Sequence, residues 1–228
     1  MLLKNKSMNE IPKLGEGIFL IKDVADILGL PYYKVRHFIN EYWDKRFYDD
    51  MDGRYSFGSK RDKAVNFYTL IEFYTFYKLR EKNIPSQTIH KAHHFLAKEL
   101  KTPYPFAHAG IRTLGKEIWA EIGNNILKLD GRMQLAFGQI IKPLLHKIEY
   151  GNDNIANKFY PLSNSKNVVV DPLHQYGQPT IKGTNIKTTT IFNLYIGGEP
   201  YKFISDLYNI PLQKVKDAVL YHKTKIAA

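Results

Sequence analysis

The chain has 228 residues, of which 44% are hydrophobic and 24% charged, and it contains no cysteine. That balance suits a folded core, while the missing thiols exclude disulfide frameworks, thiolate zinc sites and cysteine nucleophiles and fit a reducing compartment. A net charge of +11, spread as 18 basic against 13 acidic residues up to position 105 and 15 against 9 beyond it, favours polyanionic partners.

Residues 1–17 carry Lys, Asn, Pro and Gly without periodicity and are expected to form a loose arm. The short apolar run 18–21 follows, strand-like and far too short for a leader or a membrane span, so a cytoplasmic location is expected. Lys22 to Leu30 has helical spacing (Val24, Ile27, Leu28), with Asp23 placed where the helix dipole favours a negative charge. Gly29 stops that helix and Pro31 opens a second one with Val35, Phe38 and Ile39 inward. This is a helix-turn-helix pattern, with Ala25 small enough for the helix crossing. Near its N-terminal end the second helix offers Tyr32, Tyr33, Lys34, Arg36 and His37, the part of such a helix that reaches bases and phosphates.

A two-stranded wing is expected next, Arg54 to Phe57 paired with Ala64 to Phe67. Arg54 and the tip residues Lys60, Arg61 and Lys63 suit phosphate contact. Tyr68 to Glu81 is apolar around too much of its circumference to be a lone surface helix, and is expected to pack on the first two helices and to offer a dimer interface. Asn83 to Ser86 breaks it; Ser86 is expected to cap a further helix with Ile89, Ala92, His93, Leu96 and Leu100 inward, closed by residues 101–105. Strand, helix-turn-helix, wing and helix pair together resemble the MerR-type winged-helix DNA-binding domain over residues 18–105.

Residues 106–167 read as a small α/β connector and a partner-binding region. Short strands are expected at 116–122 and 125–129, a helix kinked by Pro143 over 133–148, and extended chain over 155–162. Beyond lie Val168 to Pro172 and then Gly177-Gln-Pro179-Thr-Ile-Lys-Gly183-Thr184-Asn-Ile186, followed by helices near 188–196, 200–207 and 211–223. Gly177 and Gly183 permit positive φ and Pro179 fixes the chain between them, which gives the run a structural role. Ile204, Leu207, Ile210, Val215, Ala218 and Val219 are expected to fill a small core. Gln213, Lys214, Lys216 and Asp217 are expected to face outward, the first three as possible contacts of a second DNA-facing helix.

Asp171-Pro172, the glycine–proline run with Gly177, Pro179, Gly183 and Thr184, and the trihelical end together resemble the bacterial domain of unknown function four-three-three. That family is homeodomain-like and common in antitoxins; Pro200 departs from its more usual Ser or Thr, at a helix start where proline is tolerated. With a MerR-like part in front, the whole chain resembles a VapB-type antitoxin of the larger kind. The resemblance implies a non-enzymatic protein that neutralises a PIN-domain ribonuclease toxin and represses its own promoter by binding operator DNA as a homodimer or higher oligomer. A stand-alone regulator sensing a ligand through residues 106–167, and an assembly module without DNA, are the other readings.

No cofactor or metal is expected. His90, His93 and His94 share a helix but lack a third ligand, and Asp49 to Gly53 lacks the closing glutamate of a calcium loop, with Ser59 in that place. The fold expected is mainly α with small β elements: an N-terminal winged helix-turn-helix, a connector, and a C-terminal trihelical helix-turn-helix-like domain over 168–228.

Overall fold

The computed structural model describes residues 15–45, 55–58, 62–112 and 143–226. Arg54, Lys60 and Arg61, the Asp49–Gly53 turn, the strands expected at 116–122 and 125–129, and the expected helix up to residue 142 lie outside that range. The described residues are mainly helical and include three small antiparallel two-stranded sheets.

Strand β1 (Phe19–Leu20) leads into α1 (Ile21–Leu28), whose first turn is closed by Asp23: its carboxylate accepts the Leu20 N–H at 2.9 Å. Gly29 ends α1 in the left-handed region (φ +65°), and Leu30 and Pro31 complete the turn into α2 (Tyr32–Phe38). A π-helical turn, Ile39–Trp43, extends α2 and buries Ile39 and Trp43. Strand β2 (Ala64–Val65) pairs with β1, and Phe57 bridges Ala64 from the other side.

The second wing strand is shorter than its sequence suggests. Asn66 turns out of β2 and caps α3 (Phe67–Glu81), accepting the Thr69 N–H at 2.9 Å, so Phe67 is helical. Residues 15–17, expected in the loose arm, belong to the fold: the Glu16 carbonyl accepts the Phe67 N–H at 2.8 Å. Helix α4 (Ser86–Leu100) is preceded by Pro85 in extended conformation and has no side-chain cap, so Ser86 is its first residue and not the cap.

Helix α3 is the centre of the first core. Phe67, Leu70, Ile71, Phe73, Phe76 and Leu79 are buried within the one chain, which leaves little of α3 for a dimer interface. Phe73 and Phe76 meet Trp43 at 5.6 and 5.0 Å between ring centroids, and both meet Phe38. Each such side chain contributes about 1.5–3 kcal/mol on burial, so α2 is held mainly through its aromatic inner face.

Residues 143–145 form a helical turn, and Ile148 lies in strand β3 (Ile148–Tyr150), not in a helix. Ile148 is buried there opposite Phe159 of β4 (Ala156–Phe159). Strand pairing then passes from Phe159 to Val170, and β5 (Val168–Val169) pairs with β6 (Thr180–Ile181). This ribbon joins the first core to a second, smaller one. Helices α5 (Thr188–Ile196), α6 (Tyr201–Tyr208) and α7 (Leu212–Ile226) enclose Ile181, Ile191, Ile204, Ile210, Val215, Ala218 and Val219. Leu207, expected in this core, is 55% exposed instead. Helix α6 has only two turns, and its buried face is taken by Ile204 and Ser205. No helix among the described residues is long and apolar enough to cross a membrane.

Candidate nucleic-acid interface

The α1–α2 pair is built to hold α2 at the surface. Val24, Ala25 and Ile27 of α1 and Val35 of α2 face inward, and the Leu30 N–H closes on the Ala25 carbonyl at 2.9 Å. With Val35 at zero exposure and Ile39 one turn on, the opposite side of α2 must face outward. Tyr32, Tyr33, Arg36 and His37 are exposed and Lys34 is half-exposed, with Tyr33 68% and Tyr32 44% open. Neither Lys34 nor Arg36 forms an ion pair with a described residue. The structure thus brings five of the sequence-selected side chains onto one short helix.

Lys63 sits differently from expectation. Its ammonium donates to Asp44 at 2.5 Å and to Asn40 at 2.6 Å, and only 19% of its side chain is exposed. Asp44 also accepts from the Ser56 hydroxyl at 2.7 Å. Both Asn40 and Asp44 follow α2, so Lys63 ties the start of β2 to the end of that helix and is occupied within the chain.

Beneath α3 lies a buried pair that the sequence did not single out as ionic. Glu72 and His93 have 0% and 1% side-chain exposure, with Oε2 and Nε2 3.0 Å apart. The second Glu72 oxygen accepts the Ala107 N–H at 2.9 Å. Burial pushes the Glu72 carboxyl above the usual range, against the lowering effects of His93 and of the backbone N–H groups. His93 is therefore a core residue pinning α4 and residues 105–107 to α3. No group of three or more metal-capable side chains occurs among the described residues.

The glycine–proline run forms a scaffold. Asp171 is buried and accepts the Leu173 N–H at 2.9 Å, with His174 Nδ1 at 3.1 Å, and Pro172 lies beside Gly17. Gly177 and Gly183 have φ of +86° and +80°. The Pro179 carbonyl accepts the first backbone N–H of α5, from Thr188, at 2.9 Å. The Thr184 hydroxyl donates to the Ile181 carbonyl at 2.9 Å and accepts the Ile186 N–H at 3.1 Å.

On α7, Lys216 and Gln213 are exposed, whereas Lys214 donates to the Lys182 carbonyl at 2.8 Å. Asp217, expected to face out, is buried and accepts from Asn167 and Gln213 at 2.7 Å each, and from Ser165. It holds residues 165–167 against α7, a long-range partnership that helical spacing alone does not reveal. At the far end of α7, burial lowers Lys225 to about 8, against the opposing pull of the α1 residues Asp26 and Asp23. His222, lowered to about 4 by burial and then by Lys225, stacks on Phe192 at 4.7 Å. Exposed apolar residues also mark this region, among them Ile196, Phe203 and Leu207.

The class the structure defines is a mainly α protein in which a helix-turn-helix precedes a ribbon-linked three-helix unit. Residues 168–222 match the family model described as "Protein of unknown function (DUF433)". The chain is similar to the Mycobacterium tuberculosis protein named "Putative antitoxin VapB45", with 25% identity over 166 residues, 67% of this chain and 69% of that protein. Its fold is that of Rv2018 from Mycobacterium tuberculosis, whose crystal structure superposes with a TM-score of 0.73 over 93% of this chain and all of that one, at 18% identity.

Proposed function

We propose that this protein is the antitoxin of a type II toxin–antitoxin pair, which binds DNA through α2 to repress its own promoter and neutralises a PIN-domain ribonuclease toxin. The observation that carries the DNA part is the outward presentation of Lys34 and Arg36 on a helix whose inner face is locked by Val35, Phe38 and Ile39. In a helix-turn-helix that face enters the major groove, and the cations meet phosphates or bases. Lys63 is assigned the role of a brace for α2, leaving direct contact to Tyr32, Tyr33, Lys34, Arg36 and His37. Arg54, Lys60 and Arg61 remain candidates for the wing contact.

The toxin part is supported by the similarity to the VapB45-named protein. The surface assigned to the toxin is the α6 face where Phe203 and Leu207, one turn apart, are 49% and 55% exposed. Two copies would place two α2 helices on half-sites about one helical turn apart. The test is co-expression with the product of the neighbouring gene followed by co-purification. A stable complex that suppresses ribonuclease activity is expected; a neighbouring product that neither co-purifies nor cleaves RNA overturns the toxin part.

A further inference from the structure

A cavity of about 600 Å3 opens between α3 and the chain on either side of the β3–β4 ribbon. Tyr74 and Lys78 form its α3 wall, and Leu144, Lys147, Tyr160 and Lys166 stand across from them. Three lysines and His146 are among its lining residues, and no described lining residue carries a carboxylate; the Glu149 carboxylate accepts the Tyr160 hydroxyl at 2.6 Å. Glu81 reaches Lys78 from one turn along α3, at 2.6 Å. Lys147 is half-buried, and the hydrogen bond its ammonium makes is to a neutral acceptor, the Pro161 carbonyl at 2.7 Å. Burial, and next the charge of Lys78, lowers the Lys147 ammonium from its ordinary range. Lys166 lies over the Tyr160 ring, 5.0 Å from its centroid.

Cations converging in a partly dehydrated concavity repel each other and are stabilised once an anion joins them. Glu81 already meets Lys78, which leaves Lys147 and Lys166 without a carboxylate among the described residues; a further single carboxylate answers one of them, whereas a phosphate chain reaches all three lysines. The volume is that of a small-molecule site, and Tyr74, Leu144, Tyr160 and Leu162 supply apolar and aromatic wall. We propose that this cavity binds a small phosphorylated molecule with a flat ring, of the nucleotide class, the phosphates lying among Lys78, Lys147 and Lys166. The site is independent of the DNA and toxin assignments.

The test titrates the full chain with magnesium-free ATP, GTP and pyrophosphate by calorimetry at physiological salt. Saturation by one of the nucleotides at one per chain is expected, tighter than pyrophosphate. Lys166→Glu and Lys78→Glu should each weaken it about tenfold or more, the scale of a charge-assisted contact. Lys91→Glu makes the same change in net charge at an exposed α4 position away from the cavity and should leave it within about threefold. No saturation by either nucleotide overturns the proposal, as do equal losses in all three variants, which would mark a general charge effect. A partner protein whose binding is lost in Lys166→Glu, with no nucleotide bound, assigns the cavity to an acidic side chain and overturns it equally.

Discussion

The ring of Phe19 occupies the space that any side chain at position 177 would need: a Cβ built on Gly177 would lie 2.3 Å from Phe19 Cζ. Phe19 is the first residue of β1 and is fully buried, so the glycine–proline run is fitted directly onto the strand that leads into α1. The Ile18 N–H donates to the Tyr176 carbonyl at 3.2 Å beside it. Gly177→Ala must both adopt a positive φ and displace the ring, together about 2–4 kcal/mol. Gly183→Ala meets no atom within 4 Å and bears only the φ of +80°, costing about 1 kcal/mol. Urea unfolding of the two variants should separate them in that order; equal losses would remove the close fit.

Glu72 gives the fold a pH signature. Its carboxyl is pushed above the ordinary range near 4.5, chiefly by burial. A carboxyl raised in the folded state favours folding while protonated, and that stabilisation is lost as pH rises through the raised value. Glu72→Gln cannot titrate. The melting temperature of the wild type relative to Glu72→Gln should therefore fall as pH climbs from about 4.5 toward neutrality. A difference that stays constant or grows with pH contradicts the upward shift of the buried Glu72 carboxyl.

Lys63 is predicted to matter for stability more than for DNA contact. Lys63→Met removes the bonds to Asp44 and Asn40 and leaves Asp44 with the Ser56 hydroxyl. A loss of about 1–2 kcal/mol is expected, with the salt dependence of DNA binding unchanged. A salt slope reduced by about one with no loss of stability would return Lys63 to the phosphate-contacting set.

Leu207→Glu should abolish co-purification with the toxin while leaving DNA affinity and melting temperature near wild type, because the side chain is more than half exposed. Retained complex formation would move the toxin surface elsewhere.

The elements with strong punctuation were legible in the sequence. Helix α5 runs Thr188–Ile196, as read, because Gly197-Gly198 stops it and Pro200 opens α6. The α1–α2 turn was legible from Gly29 and Pro31 for the same reason. What escaped depends on tertiary partners. Ile148 has neighbours with helical spacing, yet it pairs with Phe159 in a ribbon. Asp217 and Lys63 look like solvated charges until Asn167 and Asp44 are placed beside them. Glu72 is the one charged residue in the stretch 67–77 of α3, and the positions of His93, 21 residues later, and of the Ala107 N–H explain it.

The outward face of α2 is tested most directly by fluorescence anisotropy of the purified protein with its own upstream duplex across a salt series, comparing wild type with the Lys34→Ala/Arg36→Ala double variant. We expect affinity to fall about tenfold or more and the log–log salt slope to shrink by up to about two. An unchanged affinity and slope, in a variant that melts like the wild type, would contradict the assignment of α2 as the DNA-reading helix.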